Sequence, residues 1–311
     1  MRRAGFTIIE LLAIIIVVIA LLIAAAVAIS PQPHRGHRQL RDATQVRGIQ
    51  QALITWASNN DDQFPLPSTI DKDNFTVPEL GRAKDTTANI LSILICEGFI
   101  TSELAVSPQD INDRIMPYDN YEVEQPAGAV DPDKALWDPK FSADFTSESG
   151  GHNSYAHLIP QGKRLEEWTY TFKPDKAILS NRGPEMRAVE LAGGRVVTRF
   201  ANPATNTTRF FKGSAHKRDW WSGNVAFNDN HVELVSNLYA DGQPVGDAKA
   251  NPRLYLPGTD GKLTGFHDVL FADEQPPEGD DAHRDAYDAN QFLGIFTTAG
   301  ENREDFTAIW D

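Results

Sequence analysis

Hydrophobic residues dominate the start of the chain. Residues 6–29 contain one charged side chain, Glu10, within a run that is otherwise almost entirely apolar. As an α-helix this run would measure about 36 Å, which exceeds the roughly 30 Å hydrocarbon core of a bilayer. The pattern predicts a transmembrane helix over residues 6–30, and Pro31 and Pro33 are expected to kink or interrupt the helix after it.

Beyond the prolines, apolar positions recur every three or four residues. This spacing predicts an amphipathic helix over residues 39–58 that packs on a core. A second helix is predicted for residues 85–99, with Gly98 ending it, and residues 105–128 are expected to form a loop. The stripe of the first helix consists of Leu40, Ala43, Val46, Ile49, Leu53 and Trp56.

The spacing changes to an alternation of period two in the second half of the chain, which is typical of strands. A hairpin is predicted for residues 222–236, because Asp229-Asn230 suits a turn that requires positive φ. The apolar segment 290–297 is expected to return to the same sheet. The other predicted strands are residues 154–158, 168–172, 176–180 and 195–200.

Charge and cysteine content narrow the possible functions. The formal net charge is −14, from 29 basic and 43 acidic residues. This balance argues against non-specific nucleic-acid binding and favours a self-repelling, soluble surface. Cys96 is the only cysteine, so an intramolecular disulfide is excluded, and its apolar surroundings in the sequence predict a buried, inert thiol.

The residues around the first apolar run resemble a known processing signal. Arg2-Arg3-Ala4-Gly5-Phe6-Thr7-Ile8-Ile9-Glu10 is similar to the prepilin signature of type IV pilins and type II secretion pseudopilins. The resemblance implies cleavage between Gly5 and Phe6 by a prepilin peptidase and methylation of the new Phe6 amine. It also implies that Glu10 pairs with the Phe6 amine of a neighbouring subunit. This pairing is physically reasonable, because two unpaired charges in an apolar bundle cost far more free energy than a paired carboxylate and ammonium.

A Sec signal peptide is the alternative interpretation of the N-terminus. Ala26-Val27-Ala28 would then be the small-residue cleavage site. The apolar region would be about 20 residues, against the usual 7–15, and a signal peptide has no need for Glu10. The Lys/Arg bias does not decide orientation, because arginines flank both ends of the run.

A second resemblance lies in the predicted hairpin. Residues 224–232 are similar to a C-terminal module of pseudopilin-like bacterial proteins, in which a His is followed after nine residues by Asp-Gly. Twelve residues separate His216 from Asp229 in this chain, and Asn230 stands in place of Gly. A function that needs the exact spacing of that module is therefore not expected.

Two groups of residues are candidates for metal binding. Asp229, His231 and Glu233 lie in the hairpin, where His231 and Glu233 share a face. The second group lies in an acidic loop, and calcium is its candidate ion, because the major pseudopilins that the N-terminus resembles hold calcium in a C-terminal loop. That group is Asp280, Asp281 and Asp285, with Asp288 close by in the sequence.

Catalytic motifs are lacking in the sequence. It contains no glycine-rich phosphate loop, no Gly-x-Ser-x-Gly and no His-Glu-x-x-His. We therefore expect no enzymatic activity and no cofactor other than the candidate calcium.

Together these observations predict an α+β, single-pass membrane protein with a long N-terminal helix, first transmembrane and then amphipathic, packed on an antiparallel sheet. The expected domains are a leader (1–5), a transmembrane helix (6–30), a spine helix (31–58) and a globular domain (59–311). The expected location is the inner membrane, with the C-terminal domain periplasmic or extracellular.

The predicted function is that of a pseudopilin-like filament subunit of a type II secretion or type IV pilus-like system. Its expected partners are the prepilin peptidase, other pilin-like subunits and the inner membrane, without nucleic acid. One alternative is a membrane-tethered binding module that never polymerises; another is a tethered metal-dependent enzyme.

Overall fold

The computed structural model describes residues 35–191, 195–200, 221–236, 269–273 and 290–310. The chain divides between Arg38 and Gln39, and the second unit, Gln39–Asp311, contains the sheet and the core. Its helices are α1 (Arg35–Ala57), which begins before the division, α2 (Pro67–Ile70), α3 (Thr87–Cys96) and α4 (Lys163–Glu166), with short 3₁₀ turns at Gly81–Lys84, Ser102–Ala105 and Arg303–Asp305.

Within the described ranges, eight strands form two antiparallel sheets. They are β1 (Tyr155–Leu158), β2 (Ala177–Asn181), β3 (Met186–Leu191), β4 (Arg195–Phe200), β5 (Ser222–Phe227), β6 (Val232–Ser236), β7 (Leu293–Thr298) and β8 (Thr307–Ile309). The larger sheet has the order β6-β5-β2-β1-β7-β8, and β3 pairs with β4 in a separate two-stranded sheet. The predicted return of segment 290–297 is confirmed, because β7 pairs with β1.

The predicted strand at residues 168–172 is wrong. Only one bridge forms there, between Gln63 and Thr169, and the chain then turns outward with Phe172 at a φ of 58°. The physical reason is a competing set of hydrogen bonds. Asn228 accepts from the Thr171 amide at 2.7 Å, so that amide cannot join a strand ladder.

The core lies between α1, α3 and the larger sheet. One buried cluster joins Leu53 of α1, Leu94 of α3, and Tyr155 and Val225 of the sheet. Burial of such apolar side chains contributes about 1.5–3 kcal/mol each, so the stripe predicted for α1 does hold the helix on the sheet. Its buried members are Val46, Ile49 and Leu53.

The predicted stripe is wrong at its N-terminal end. Leu40 is 68% exposed, whereas Asp42 is fully buried. The buried face of α1 thus includes polar side chains, which sequence periodicity assigns to solvent. Asp42 takes this position because the sheet offers hydrogen-bond donors to it, as described below.

The prediction of a membrane-spanning fold and of an inner-membrane location must be corrected. Among the helices described, none has both the length and the apolar character needed to cross a bilayer. α1 has 23 residues, but four of them are arginines. This finding contradicts both predictions as made, and the fold class is corrected to an α+β fold with a six-stranded antiparallel sheet. The predicted span, residues 6–30, lies outside the described residues.

The predicted second helix is confirmed as α3. Thr86 caps its start by accepting from the Asn89 amide, and Gly98 follows its end with a φ of 72°. Glycine reaches this left-handed conformation without steric cost, which is why the helix ends there. Cys96 is only half-buried, and burial raises the pKa of its thiol.

α3 is joined to the sheet by a buried hydrogen-bond chain through His157. The Nε2 atom of His157 lies 2.8 Å from the Thr87 hydroxyl, which itself accepts from the Phe296 amide at 2.7 Å. The Nδ1 atom lies 2.8 Å from the Leu158 carbonyl and donates to it. His157 is thus neutral, and its burial lowers the pKa from 6.5 to about 4.

This network predicts a loss of stability in acid. The unfolded chain protonates His157 near pH 6.5 and the folded chain only near pH 4, so the unfolded state binds more protons between these values. The contribution is complete above pH 6.5 and is lost as the pH falls toward 4, by about 3 kcal/mol in total. Urea unfolding at several pH values between 7.5 and 4.5 measures this.

The variants compared are His157→Gln and Thr44→Ala, the second at an exposed residue that does not titrate. We expect His157→Gln to be less stable at pH 7.5 and to lose less stability on acidification. Thr44→Ala should keep the slope of the original chain. Equal slopes for the original chain and His157→Gln would contradict the prediction.

Candidate functional site

The buried carboxylate of Asp42 is the centre of the contact between α1 and the sheet. It is fully buried, and every partner that the structure places around it is a neutral donor. The donors are the Ser107 hydroxyl, the Gln109 amide at 3.3 Å, the Tyr155 hydroxyl at 3.1 Å, the Asn181 amide at 3.1 Å and the Asn224 amide at 2.5 Å.

These donors come from different parts of the fold. Tyr155 lies on β1, Asn181 on β2 and Asn224 on β5, and the remaining two belong to the loop after the second 3₁₀ turn. The side-chain oxygen of Asn181 also accepts from the backbone N–H of Asn224 at 2.7 Å, which adds a link between β2 and β5. One carboxylate therefore fixes α1 to three strands at once. We call these six residues the Asp42 lock.

The charge of Asp42 has an effect on its neighbour Tyr155. Burial, and then the negative charge of Asp42, raise the pKa of Tyr155 well above its ordinary value, so its hydroxyl stays a donor. A buried carboxylate is tolerated only when its lone pairs are occupied, and the five neutral donors of the lock satisfy this condition.

An ion pair lies beside the lock. Arg182, directly after β2, donates to both oxygens of Asp110, at 2.9 and 2.8 Å, and both side chains are 2% exposed. Burial opposes ionisation of Asp110, but the hydrogen bonds and the charge of Arg182 outweigh it and lower the pKa of Asp110. The guanidinium also lies 5.0 Å from the centre of the Phe145 ring.

The predicted hairpin is confirmed as β5 and β6. Asn230 has a φ of 70°, which confirms a turn that requires positive φ at this position. His231 donates through Nδ1 to Asp229. Its ring stacks on the ring of Phe227, with the ring centres 4.5 Å apart and the ring planes 3° from parallel. Burial raises the pKa of Asp229, but the hydrogen bonds from His231 outweigh it and lower that pKa below its usual value.

The hairpin does not assemble the predicted metal site in the described residues. Asp229 and His231 contact each other, and Glu233 is exposed on β6. Within the described part of the chain, no group of three or more His, Cys, Asp or Glu side chains lies close enough to hold a metal ion. The other predicted site residues lie outside the described residues: Gly5, Phe6, Glu10, Asp280, Asp281 and Asp285.

The hairpin tip also contacts α1. Asn230 donates to the Gln51 side chain at 2.7 Å, at the exposed side of the helix. Asn228, fully buried, donates to the Thr169 carbonyl at 2.6 Å and accepts from Thr171. The hairpin tip therefore fixes the backbone of residues 169–171, which lie in the segment predicted to be a strand.

Sequence reasoning missed the Asp42 lock. The available sign was the position of Asp42, four residues before Val46 and seven before Ile49, both on the buried stripe. An acidic residue at such a position indicates a buried partner network. The donors themselves are scattered over residues 107 to 224, and only the fold brings them together.

No family model matches this chain, and comparison with curated proteins and with solved structures also finds no match.

The lock predicts a large stability loss for Asp42→Ala. The change leaves four buried donors and the half-buried Gln109 without their acceptor and creates a cavity, so we expect a loss of about 3–5 kcal/mol. Asp42→Asn should also destabilise, because its amide nitrogen would face other donors. The control Thr44→Ala, exposed on the same helix, should change stability by less than about 0.5 kcal/mol. The measurement is the midpoint of urea unfolding for each variant. An unchanged midpoint in Asp42→Ala would contradict a stabilising role for the Asp42 lock.

Proposed function

We propose that this chain is a pseudopilin-like structural subunit of a filament of the type II secretion or type IV pilus kind, assembled through its N-terminal helix. The observation that carries the proposal is the rigid attachment of α1 to an antiparallel sheet by the Asp42 lock. α1 is the first helix that the structure describes after the prepilin-like residues. The role is structural rather than catalytic.

The N-terminal residues support the assembly step. A prepilin peptidase that cuts after Gly5 would expose the Phe6 amine, and Glu10 is four residues further on. A carboxylate and an ammonium that pair between neighbouring subunits remove two costly charges from an apolar bundle. The same pairing fixes the axial position of one subunit against the next.

The Asp42 lock supports the mechanical part of the role. A subunit held through its helix must pass force from that helix to its body. In this chain the apolar stripe supplies attraction, but apolar contacts are non-directional. The lock adds directed hydrogen bonds to β1, β2 and β5, which oppose sliding or rotation of α1 on the sheet.

The proposed partners are the prepilin peptidase and other pilin-like subunits. A contact between two different surfaces of successive subunits does not close on itself and so gives a filament. The proposal needs no cofactor. Calcium stays a candidate for Asp280, Asp281 and Asp285, in a segment outside the described residues.

The test is the mass of the native N-terminus together with a variant at Glu10. We expect the mature chain to begin at a methylated Phe6, as measured by mass spectrometry of the N-terminal peptide. Glu10→Ala should abolish filaments while the amount of protein is unchanged, because the pairing partner of the Phe6 amine is lost. The control Glu97→Ala, at an exposed acid just after α3, should leave filaments intact. A chain that begins at Ile29, or normal filaments from Glu10→Ala, would overturn the proposal.

A further inference from the structure

One exposed face of α1 carries positive charge that no carboxylate of the described residues neutralises. Leu40, Arg41, Thr44 and Arg47 lie on successive turns of α1, and all are exposed. We call them the arginine face. Leu40, 68% exposed, adds an apolar side chain at the N-terminal end of this face. Among the described residues, no carboxylate lies within ion-pair distance of Arg41 or Arg47.

Three buried cations of the same unit, in contrast, each form an ion pair with a carboxylate. Lys84 pairs with Asp71 at 2.8 Å, Arg164 with Asp273 at 2.7 Å and Arg182 with Asp110 at 2.8 Å. The one acidic residue of α1, Asp42, is used up by the lock. The positive charge of the arginine face is therefore left for a contact outside the described fold.

A second exposed surface has the complementary chemistry. The ring centres of Tyr170 and Phe172 lie 4.2 Å apart, and Phe172 is 66% exposed. Asp61 and Asp62 are exposed next to them, and the Asp62 carbonyl accepts from the Tyr170 amide at 2.8 Å. We call these four residues the acid–aromatic surface.

The acid–aromatic surface is held in place by hydrogen bonds to the buried side chain of Asn228. Asn228 binds the backbone on both sides of Tyr170, accepting from Thr171 at 2.7 Å and donating to Thr169 at 2.6 Å. The exposed rings thus stand on a fixed segment, so little conformational entropy is lost when they bind.

The two surfaces cannot meet within one molecule. Arg41 and Arg47 lie 16 and 10 residues before Ala57, where α1 ends, which is about 24 and 15 Å along the helix axis. The aspartates lie beyond that end. Any contact between these surfaces therefore joins two copies of the chain.

Arginine fits such a surface better than other side chains do. A guanidinium stacks on aromatic rings and at the same time donates to carboxylates in its own plane. We propose that the arginine face of one copy docks on the acid–aromatic surface of the next copy. This inference rests on the proposed function, since it names a contact between filament subunits. The two surfaces differ, so the contact is heterologous and repeats without closing.

The test places a photoreactive phenylalanine derivative at Phe172 of the full-length chain in cells that also produce a differently tagged copy. We expect a cross-linked pair of copies whose joined peptide lies within residues 39–51. Arg41→Glu with Arg47→Glu, or Asp61→Lys with Asp62→Lys, should each reduce the cross-linked pair by about tenfold. All four changes in one chain should restore it, because the charges are exchanged but still opposite.

Controls separate charge pairing from general effects of charge. Lys72→Glu with Glu97→Lys, at exposed positions outside both surfaces, should leave the cross-link unchanged. Arg41→Gln with Arg47→Gln is the milder variant if the reversed chain does not fold, and it should also weaken the cross-link. A cross-link only to lipid, to another polypeptide or to a different segment of the second copy would overturn the contact. A cross-link yield that charge reversal leaves unchanged would also overturn the contact.

Failure of this contact and failure of the proposed function give different results. Normal filaments that depend on Glu10, without a cross-link to α1, would leave the function standing and remove the contact. A charge-dependent cross-link in a chain that forms no filaments would leave the contact standing and remove the proposed function.

Discussion

The attachment of α1 to the sheet depends on one buried carboxylate that has no cation beside it in the described structure. Asp42 would be costly to bury alone, and the fold removes that cost with donors from β1, β2, β5 and one loop. Because the donors are neutral, they must all be present together for the charge to be tolerated. Position and orientation of α1 are therefore coupled to the correct pairing of the central strands.

Several other buried charges of this unit are each matched by an opposite charge. Asp273 lies between Arg164 and Arg303, at 2.7 and 2.5 Å, and Lys84 pairs with Asp71. These pairs fix loops to the body, because removing one partner would leave the other buried and uncompensated. The exposed Arg41 and Arg47 of α1 differ from these pairs, because no described carboxylate forms an ion pair with either of them.

The proposals for assembly combine two kinds of information. The prepilin-like residues Gly5, Phe6 and Glu10 supply a hypothesis about processing and axial pairing. The described fold contributes the attachment of α1 to its sheet by directed hydrogen bonds, and two separate exposed surfaces, one with arginines and one with aspartates. Each kind is tested by its own experiment, and neither depends on a catalytic group.

Local patterns in the sequence determined much of the secondary structure, because spacing and turn chemistry act over a few residues. The helix stripe at Val46, Ile49 and Leu53, the end of α3 at Gly98 and the hairpin turn at Asn230 all follow from such rules. The tertiary structure alone decided which polar residues go inside. Asp42 is buried, and residues 168–172 fail to form a strand, because their hydrogen-bond partners are distant in the sequence. Periodicity cannot anticipate partners that only the folded sheet brings within reach.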